Sequence, residues 1–245
     1  MRELVISKYE AGQRFDKFLA KYMELAPKSF FYKMMRKKNI TLNGKKAAGN
    51  EKLEEGDTVK LFLSEETIEG FREKKKRAVH TGAKLDILYE DEQVMLINKP
   101  AGMLSQKAEK GDISMVEHLI SHLLDTGEVT EEMLKTFRPS LCNRLDRNTS
   151  GIVAAGKTLQ GLQILSGLFK ERTLHKYYLC IVKGVIKEEQ DVRGWLLKNE
   201  KTNQVRIFKN ETKDARPIHT KYRPLADNGQ ETLLEIELLT GRTHQ

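Results

Sequence analysis

The stretch Cys142-Asn143-Arg144-Leu145-Asp146-Arg147-Asn148-Thr149-Ser150-Gly151 runs straight into Ile152-Val153-Ala154-Ala155-Gly156. The second half is a short apolar run bounded by glycine, and it reads as a buried strand. The first half is polar, ends on a glycine and carries one carboxylate, Asp146, between Arg144 and Arg147. A core strand does not need such a preface. The pattern alone leaves two readings open. One is a structural Arg–Asp–Arg network at a turn. The other is a loop that presents a carboxylate for chemistry.

Upstream of this loop, Leu85–Tyr89 reads as a strand, Glu90-Asp91-Glu92 as a turn and Gln93–Asn98 as a second strand, broken by Lys99-Pro100-Ala101-Gly102. Ser114 with Glu117 has the spacing of a capping box. The helix that follows carries Met115, Val116, Leu119, Ile120, Leu123 and Leu124 as its apolar face. A loop with helical propensity leads to Pro139. Downstream, residues 158 to about 172 form a helix with Leu159, Leu162, Leu165, Leu168 and Phe169 at helical spacing, read as core. Strands follow at Tyr177–Val182, Val205–Phe208, His219–Tyr222 and Leu233–Leu239. Helices are few and hairpins recur, so the expected class is α+β with a mixed, mostly antiparallel sheet.

The N-terminal quarter has another character. Phe15, Phe18, Leu19 and Tyr22 form one stripe of a helix expected over 12–26, which Pro27 ends. Ser29 is placed to cap a second helix through Lys38, with Phe30, Met34 and Met35 on one side. Lys28, Lys33, Arg36, Lys37 and Lys38 occupy the rest. Cations favour a helix C-terminus, but five exceed what capping needs, and a phosphate-binding face is the sharper reading. Ile40-Thr41-Leu42, the hairpin signal Asn43-Gly44, the turn Gly56-Asp57 and the strand Thr58–Phe62 complete a small sheet. From Ser64 to Lys84 the apolar pattern fades around Lys74-Lys75-Lys76-Arg77, which reads as a charged linker. The expected domains are therefore 1–64, a linker over 65–84, and 85–245.

Composition bounds the function. The 245 residues carry a formal charge of +8, which suits a polyanionic partner, nucleic acid or anionic membrane. No apolar run is long enough to span a bilayer, and Met1–Lys8 lacks a signal-peptide core, so a cytoplasmic protein is expected. Cys142 and Cys180 stand in no CxxC pair, and there is no Gly-rich nucleotide fingerprint or metal-ligand cluster. No metal and no cofactor is expected. The helix pair with its Asn-Gly hairpin favours structured RNA over DNA, and no strongly amphipathic basic helix of the membrane type is present to favour a membrane surface.

Two resemblances sharpen this. Arg14-Phe15-Asp16-Lys17-Phe18-Leu19, Ile40-Thr41-Leu42-Asn43-Gly44 and Leu53-Glu54-Glu55-Gly56-Asp57 are similar to the "R-x-D-K-x-L … V-x-V-N-G … L-x-x-G-D" pattern of the RNA-binding domain named after ribosomal protein S-four. Asn98-Lys99-Pro100-Ala101-Gly102 resembles the "NKPxG" element of RluA-type pseudouridine synthases. Asn143–Gly151 resembles their "[HN]-R-L-D-R-x-T-S-G" motif, Lys176-Tyr177-Tyr178-Leu179 with Gly184 their "K-x-Y-L … G", and Leu239–Gln245 their "L-x-T-G-R-T-H-Q". The four elements keep the family's order over the whole second domain. In that family the sequence continues past the last motif, so a catalytic domain truncated at its C-terminus is expected.

The resemblance implies a cofactor-free isomerisation of uridine, in which the base leaves its ribose, turns and rejoins through carbon. Asp146 is the implied catalytic carboxylate, and Arg242 the arginine that pairs with it and keeps it ionised. Tyr178 is implied to stack on the uracil, with Tyr177 facing the other side of the strand. The target uridine must be flipped out of its stack. Arg144 and Arg147 are candidates to hold RNA there, and Asn143, which replaces the commoner histidine, is a candidate wedge. His244 is a weaker candidate for RNA contact. Lys33, Arg36, Lys37 and Lys38 are the RNA-binding face of the first module. Large-subunit ribosomal RNA is the implied substrate, transfer RNA the runner-up, and a monomer the expected state. A non-catalytic ribosome-assembly factor on the same fold is the rival reading.

Overall fold

The computed structural model describes residues 1–72, 80–109, 111–199, 202, 204–242 and 245. They fall into two compact units, Met1–Gly167 and Leu168–Gln245. The basic run Lys74–Arg77 and His244 lie outside the described residues.

The first unit holds two four-stranded sheets. In the N-terminal one, β1 (Arg2–Val5), β2 (Ile40–Leu42), β3 (Lys45–Lys46) and β4 (Thr58–Leu61) lie in the order β1-β4-β2-β3. The β2–β3 hairpin turns through Asn43 and Gly44, with φ of 51° and 71°. Both central residues are left-handed, which is the reason an Asn-Gly pair stands there. Helices α1 (Phe15–Tyr22) and α2 (Lys28–Arg36) pack on this sheet. Phe15, Phe18, Leu19 and Tyr22 are all buried, as their spacing predicts.

Two local expectations are corrected. Helix α2 begins right after Pro27, whose extended backbone (φ −66°, ψ 144°) makes it the N-cap, so Ser29 lies inside the first turn. The buried aromatic of α2 is Phe31; Phe30 is half-buried and packs on Phe71 at 4.8 Å between ring centroids. Phe71 follows a third helix, α3 (Glu65–Gly70), capped by Ser64 and burying Ile68 in the N-terminal core. The first residues read as linker are thus folded. Their apolar content is two residues at helical spacing, too little for a periodic signal.

The second sheet comprises β5 (Ile87–Glu90), β6 (Val94–Lys99), β7 (Ser140–Leu141) and β8 (Gly151–Gly156), in the order β5-β6-β8-β7. Helix α4 (Met115–Asp125) buries Met115, Leu119, Ile120 and Leu123, and the Glu117 carboxylate reaches back to accept from the Ser114 amide at 3.2 Å. A 3-10 turn at Met133–Lys135 stands where helical propensity was read. Helix α5 (Leu159–Glu171) crosses the division at Gly167. It was read as core, yet Gly161 is its only buried residue, and Leu162, Leu165, Leu168 and Phe169 are half-buried.

The second unit is a five-stranded sheet in the order β11-β10-β12-β13-β9. Its strands are β9 (Tyr177–Lys183), β10 (Gln190–Asn199), β11 (Gln204–Phe208), β12 (Arg216–Asp227) and β13 (Glu231–Leu238). Strand β10 has no counterpart in the sequence reading, because its first half, Gln190-Asp191-Val192-Arg193-Gly194, lacks strand composition. Its place is set by pairing with both β11 and β12. All described strand pairs are antiparallel, so the molecule has mixed helix and sheet with antiparallel sheets.

Candidate active site

Asp146 stands on the loop between β7 and β8, and its side chain is exposed. Several bonds fasten this loop from beneath. The buried Ser105 hydroxyl donates to Leu145 O at 2.6 Å and accepts from Leu145 N at 3.0 Å. Leu145 is itself buried, so the residue before Asp146 is an anchor on both backbone and side chain. Thr149 N donates to Asp146 O at 3.0 Å and closes the turn. Asn143 bridges to β8: its Nδ2 donates to Ile152 O at 3.2 Å, and its Oδ1 accepts from Ala154 N at 2.7 Å. The amide that was read as an RNA wedge is therefore engaged in extending the β7–β8 ladder. An amide has the donor and acceptor that this needs.

Lys99 lies under the same loop. Its side chain is 0% exposed. The ammonium donates to Pro100 O at 3.0 Å, Met103 O at 2.8 Å and Arg147 O at 3.2 Å. Gly102 N also donates to Arg147 O, at 2.8 Å. The Lys-Pro turn and the Asp146 loop are thus tied through one buried cation. Burial pushes the Lys99 pKa down from its ordinary value, and the Asp146 carboxylate pulls the other way. The sequence reading quoted Lys99 in a motif and gave it no task. The signal was available: Met95, Ile97 and Lys99 share the buried face of β6 by strand alternation.

Arg144 and Arg147 are exposed, and neither forms an ion pair with Asp146 among the described residues. The structural Arg–Asp–Arg network is not formed there. In the N-terminal part, Lys28, Lys33, Arg36, Lys37 and Lys38 are all exposed on and after α2. Beside them the buried Asp16 takes a two-pronged bond from Arg14, at 3.1 and 3.0 Å, and a third from the Tyr32 hydroxyl at 3.0 Å. Burial works to raise the Asp16 pKa, but these donors outweigh it and hold the carboxyl below its usual range.

Tyr178 and Arg242 belong to the second unit, Asp146 to the first. On β9, Tyr178 is half-buried and Tyr177 is 59% exposed, so the two tyrosines face opposite ways. Tyr177 stacks on His175 with ring centroids 6.1 Å apart. Arg242 follows β13 in a turn pinned to β12. Thr240 Oγ1 accepts from His219 N at 2.8 Å, and Gln245 Nε2 donates to Thr220 Oγ1 at 3.0 Å. Gln245 Oε1 in turn accepts from Arg242 N at 3.2 Å and from Thr240 Oγ1 at 2.9 Å. Arg242 is half-buried, and its Nε is a buried donor with no acceptor among the described residues. A buried donor without an acceptor costs about 1–3 kcal/mol.

The sequence profile of the RNA pseudouridylate synthase family matches residues 93–245. The ribosomal large subunit pseudouridine synthase C of Vibrio parahaemolyticus is 33% identical over 96% of this chain and 71% of its own length. The protein of that name from Escherichia coli is 30% identical over 99% of this chain and 73% of its own. Among solved structures, human RNA pseudouridylate synthase domain containing 1 aligns with a TM-score of 0.52 at 20% identity, over 66% of this chain and 62% of that one, which speaks for the fold. With most of the second sheet, the whole five-stranded sheet and the Asp146 loop inside the matched region, the chain belongs to the RNA pseudouridylate synthase family.

Proposed function

We propose that the protein converts uridines of large-subunit ribosomal RNA to pseudouridine, without a cofactor and with Asp146 as the essential carboxylate. The observation that carries this is the state of Asp146. A structural aspartate between two arginines would be paired and partly buried; this one is exposed on a loop anchored by Leu145, Ser105 and Lys99. The names of the relatives support ribosomal RNA as the substrate. In the proposed reaction the bond from ribose C1′ to N1 breaks and one from C1′ to C5 forms. The C5 proton departs and N1 gains one, so atoms balance with no outside donor. The family pattern assigns Arg242 as the arginine partner of the catalytic carboxylate, a role that a planar guanidinium suits. Tyr178 stacks on the flipped uracil.

Residues 1–64 act as an S-four-like module that grips folded RNA through Lys33, Arg36, Lys37 and Lys38, with 65–84 connecting it to the synthase part over 85–245. Arg144 and Arg147, exposed on either side of Asp146, hold RNA at the flipped nucleotide, and Asn143 fixes the loop that carries them. The test is pseudouridine mapping by carbodiimide and primer extension on ribosomal RNA from cells lacking the gene. The protein and its Asp146→Asn variant are compared. Stops made by the wild type and not by the variant are expected. Stops only in transfer RNA would move the substrate, and tight RNA binding with no stops from either protein would favour an assembly factor.

A further inference from the structure

The second unit contains a cleft of about 260 Å³ lined by Arg172, His175, Lys176, His219, Glu237 and Thr240, among others. Lys176 is half-buried at its wall. Its ammonium packs against Gly241, where a Cβ would lie 3.2 Å from Nζ, and among the described residues it has no hydrogen-bonded acceptor. Arg172, at the end of α5 with a left-handed φ of 59°, is near enough to disfavour the Lys176 charge and has no side-chain partner there either. Burial is the larger influence on Lys176, and both push its pKa down. The one carboxylate in the cleft, Glu237, already accepts from His175 Nδ1 at 2.6 Å. Asp191, just outside, accepts from His219 Nε2 at 2.7 Å and from Arg193 at 3.2 Å. Two full cations therefore share a wall with no anion of their own. The Lys176 charge is half-buried and costly unless paired, and Arg172 is exposed beside it, so the arrangement suits an incoming anion.

We infer that this cleft is a phosphate subsite, in which Lys176 and Arg172 hold one phosphodiester of the substrate RNA beside the Arg242 turn. The inference rests on the proposed RNA-modifying function. The RNA backbone is favoured over a free anion by what borders the cleft. His175 lines it, and the exposed Tyr177 ring lies parallel to His175 at 11° between planes, a surface on which a neighbouring base stacks. The cleft also abuts Thr240 and Gly241, so a phosphate held there is one residue from Arg242.

The test measures binding of a large-subunit ribosomal RNA transcript against potassium chloride concentration. Wild type, Lys176→Gln, Arg172→Gln, the double variant and Lys176→Arg are compared, with folding checked by circular dichroism. Each phosphate neutralised adds about 0.7–0.9 to the slope of log Kd on log salt. The double variant is expected to lose about that much slope and to bind severalfold more weakly at low salt, while Lys176→Arg keeps the wild-type slope. Lys187→Gln, which removes a cation already paired with Asp227 at 3.1 Å, controls for net charge and keeps the slope. Equal slopes in all folded variants overturn the subsite. A Lys176 side-chain resonance that moves with inorganic phosphate while the RNA slopes stay equal also overturns it, in favour of a free-anion site. If the wild type makes no pseudouridine but the slopes differ as expected, the subsite stands and the proposed reaction falls.

Discussion

At the scale of single residues, the site depends on groups placed beneath the reactive one. Lys99 gives three carbonyl oxygens their donor, and two of these, Pro100 and Arg147, lie on either side of the junction with the Asp146 loop. Lys99→Met keeps the volume and removes the ammonium. Pro100 O and Met103 O then lose this donor while Arg147 O keeps the bond from Gly102 N, and a loss of about 1–3 kcal/mol in denaturant unfolding is expected. Faster amide exchange of Thr149, whose N–H closes the loop, should accompany it; unchanged exchange and stability would sink the account. Asp16 gives a pH prediction. Its folded pKa lies below the unfolded carboxylate value of about 3.9. The stability it confers is therefore present above that value and is lost as pH falls through the lower folded pKa. Wild type should be more stable than Asp16→Asn at pH 7, and the two unfolding curves should converge in acid. A gap that persists at the lowest pH would assign the effect to packing.

Among elements, α5 shows contact geometry overruling propensity. Glycine inside a helix costs about 1 kcal/mol relative to alanine, so Gly161→Ala should stabilise an isolated helix. Here a Cβ at Gly161 would collide with Gln93 O, and one at Gly156 would stand 2.5 Å from Leu162 N. Helix α5 lies against the start of β6 and the end of β8 only because both positions lack side chains. Gly161→Ala is expected to destabilise the protein by about 1–3 kcal/mol, the usual cost of overpacking. A stabilised variant in thermal unfolding would refute the close approach. The β7–β8 pair rests on a similar local device, the Asn143 amide that takes two rungs of the ladder. Asn143→Ala should speed exchange at Ala154 N, and histidine there would restore only part of the protection, since its ring cannot donate and accept at amide spacing.

Across the first unit, the N-terminal sheet is joined to the part that carries Asp146. The Thr136 hydroxyl donates to the buried Glu10 carboxylate, and Leu159 N donates to Tyr9 O at 3.3 Å. Arg72 lies over the Tyr22 ring at 4.5 Å, bonds Glu69 at 3.1 Å and reaches Glu132 at 2.6 Å. These contacts lie within the compact unit Met1–Gly167. The pair Glu10→Ala with Arg72→Ala should let residues 1–72 exchange independently of residues 80–167 in native-state hydrogen exchange. If those residues exchange independently in the wild type, the coupling is refuted.

The sequence by itself determined what is written in short spacings. The Asn43-Gly44 hairpin, the α1 stripe, the Ser114–Glu117 box and the glycine-bounded β8 each depend on residues a few positions apart, where backbone sterics and periodicity act. The family pattern marked Asp146, Tyr178 and Arg242 for the same reason, since each sits in a compact motif. What the sequence left open joins distant residues. Lys99 meets Arg147, Ser105 meets Leu145, and Thr136 meets Glu10 across 126 positions. The β10 register is set by two neighbouring strands, and the helical state of Glu65–Gly70 by the core over which Ile68 and Phe71 close. Only the tertiary structure decided these, because burial and hydrogen-bond pairing depend on which surfaces meet, and a linear pattern does not record that.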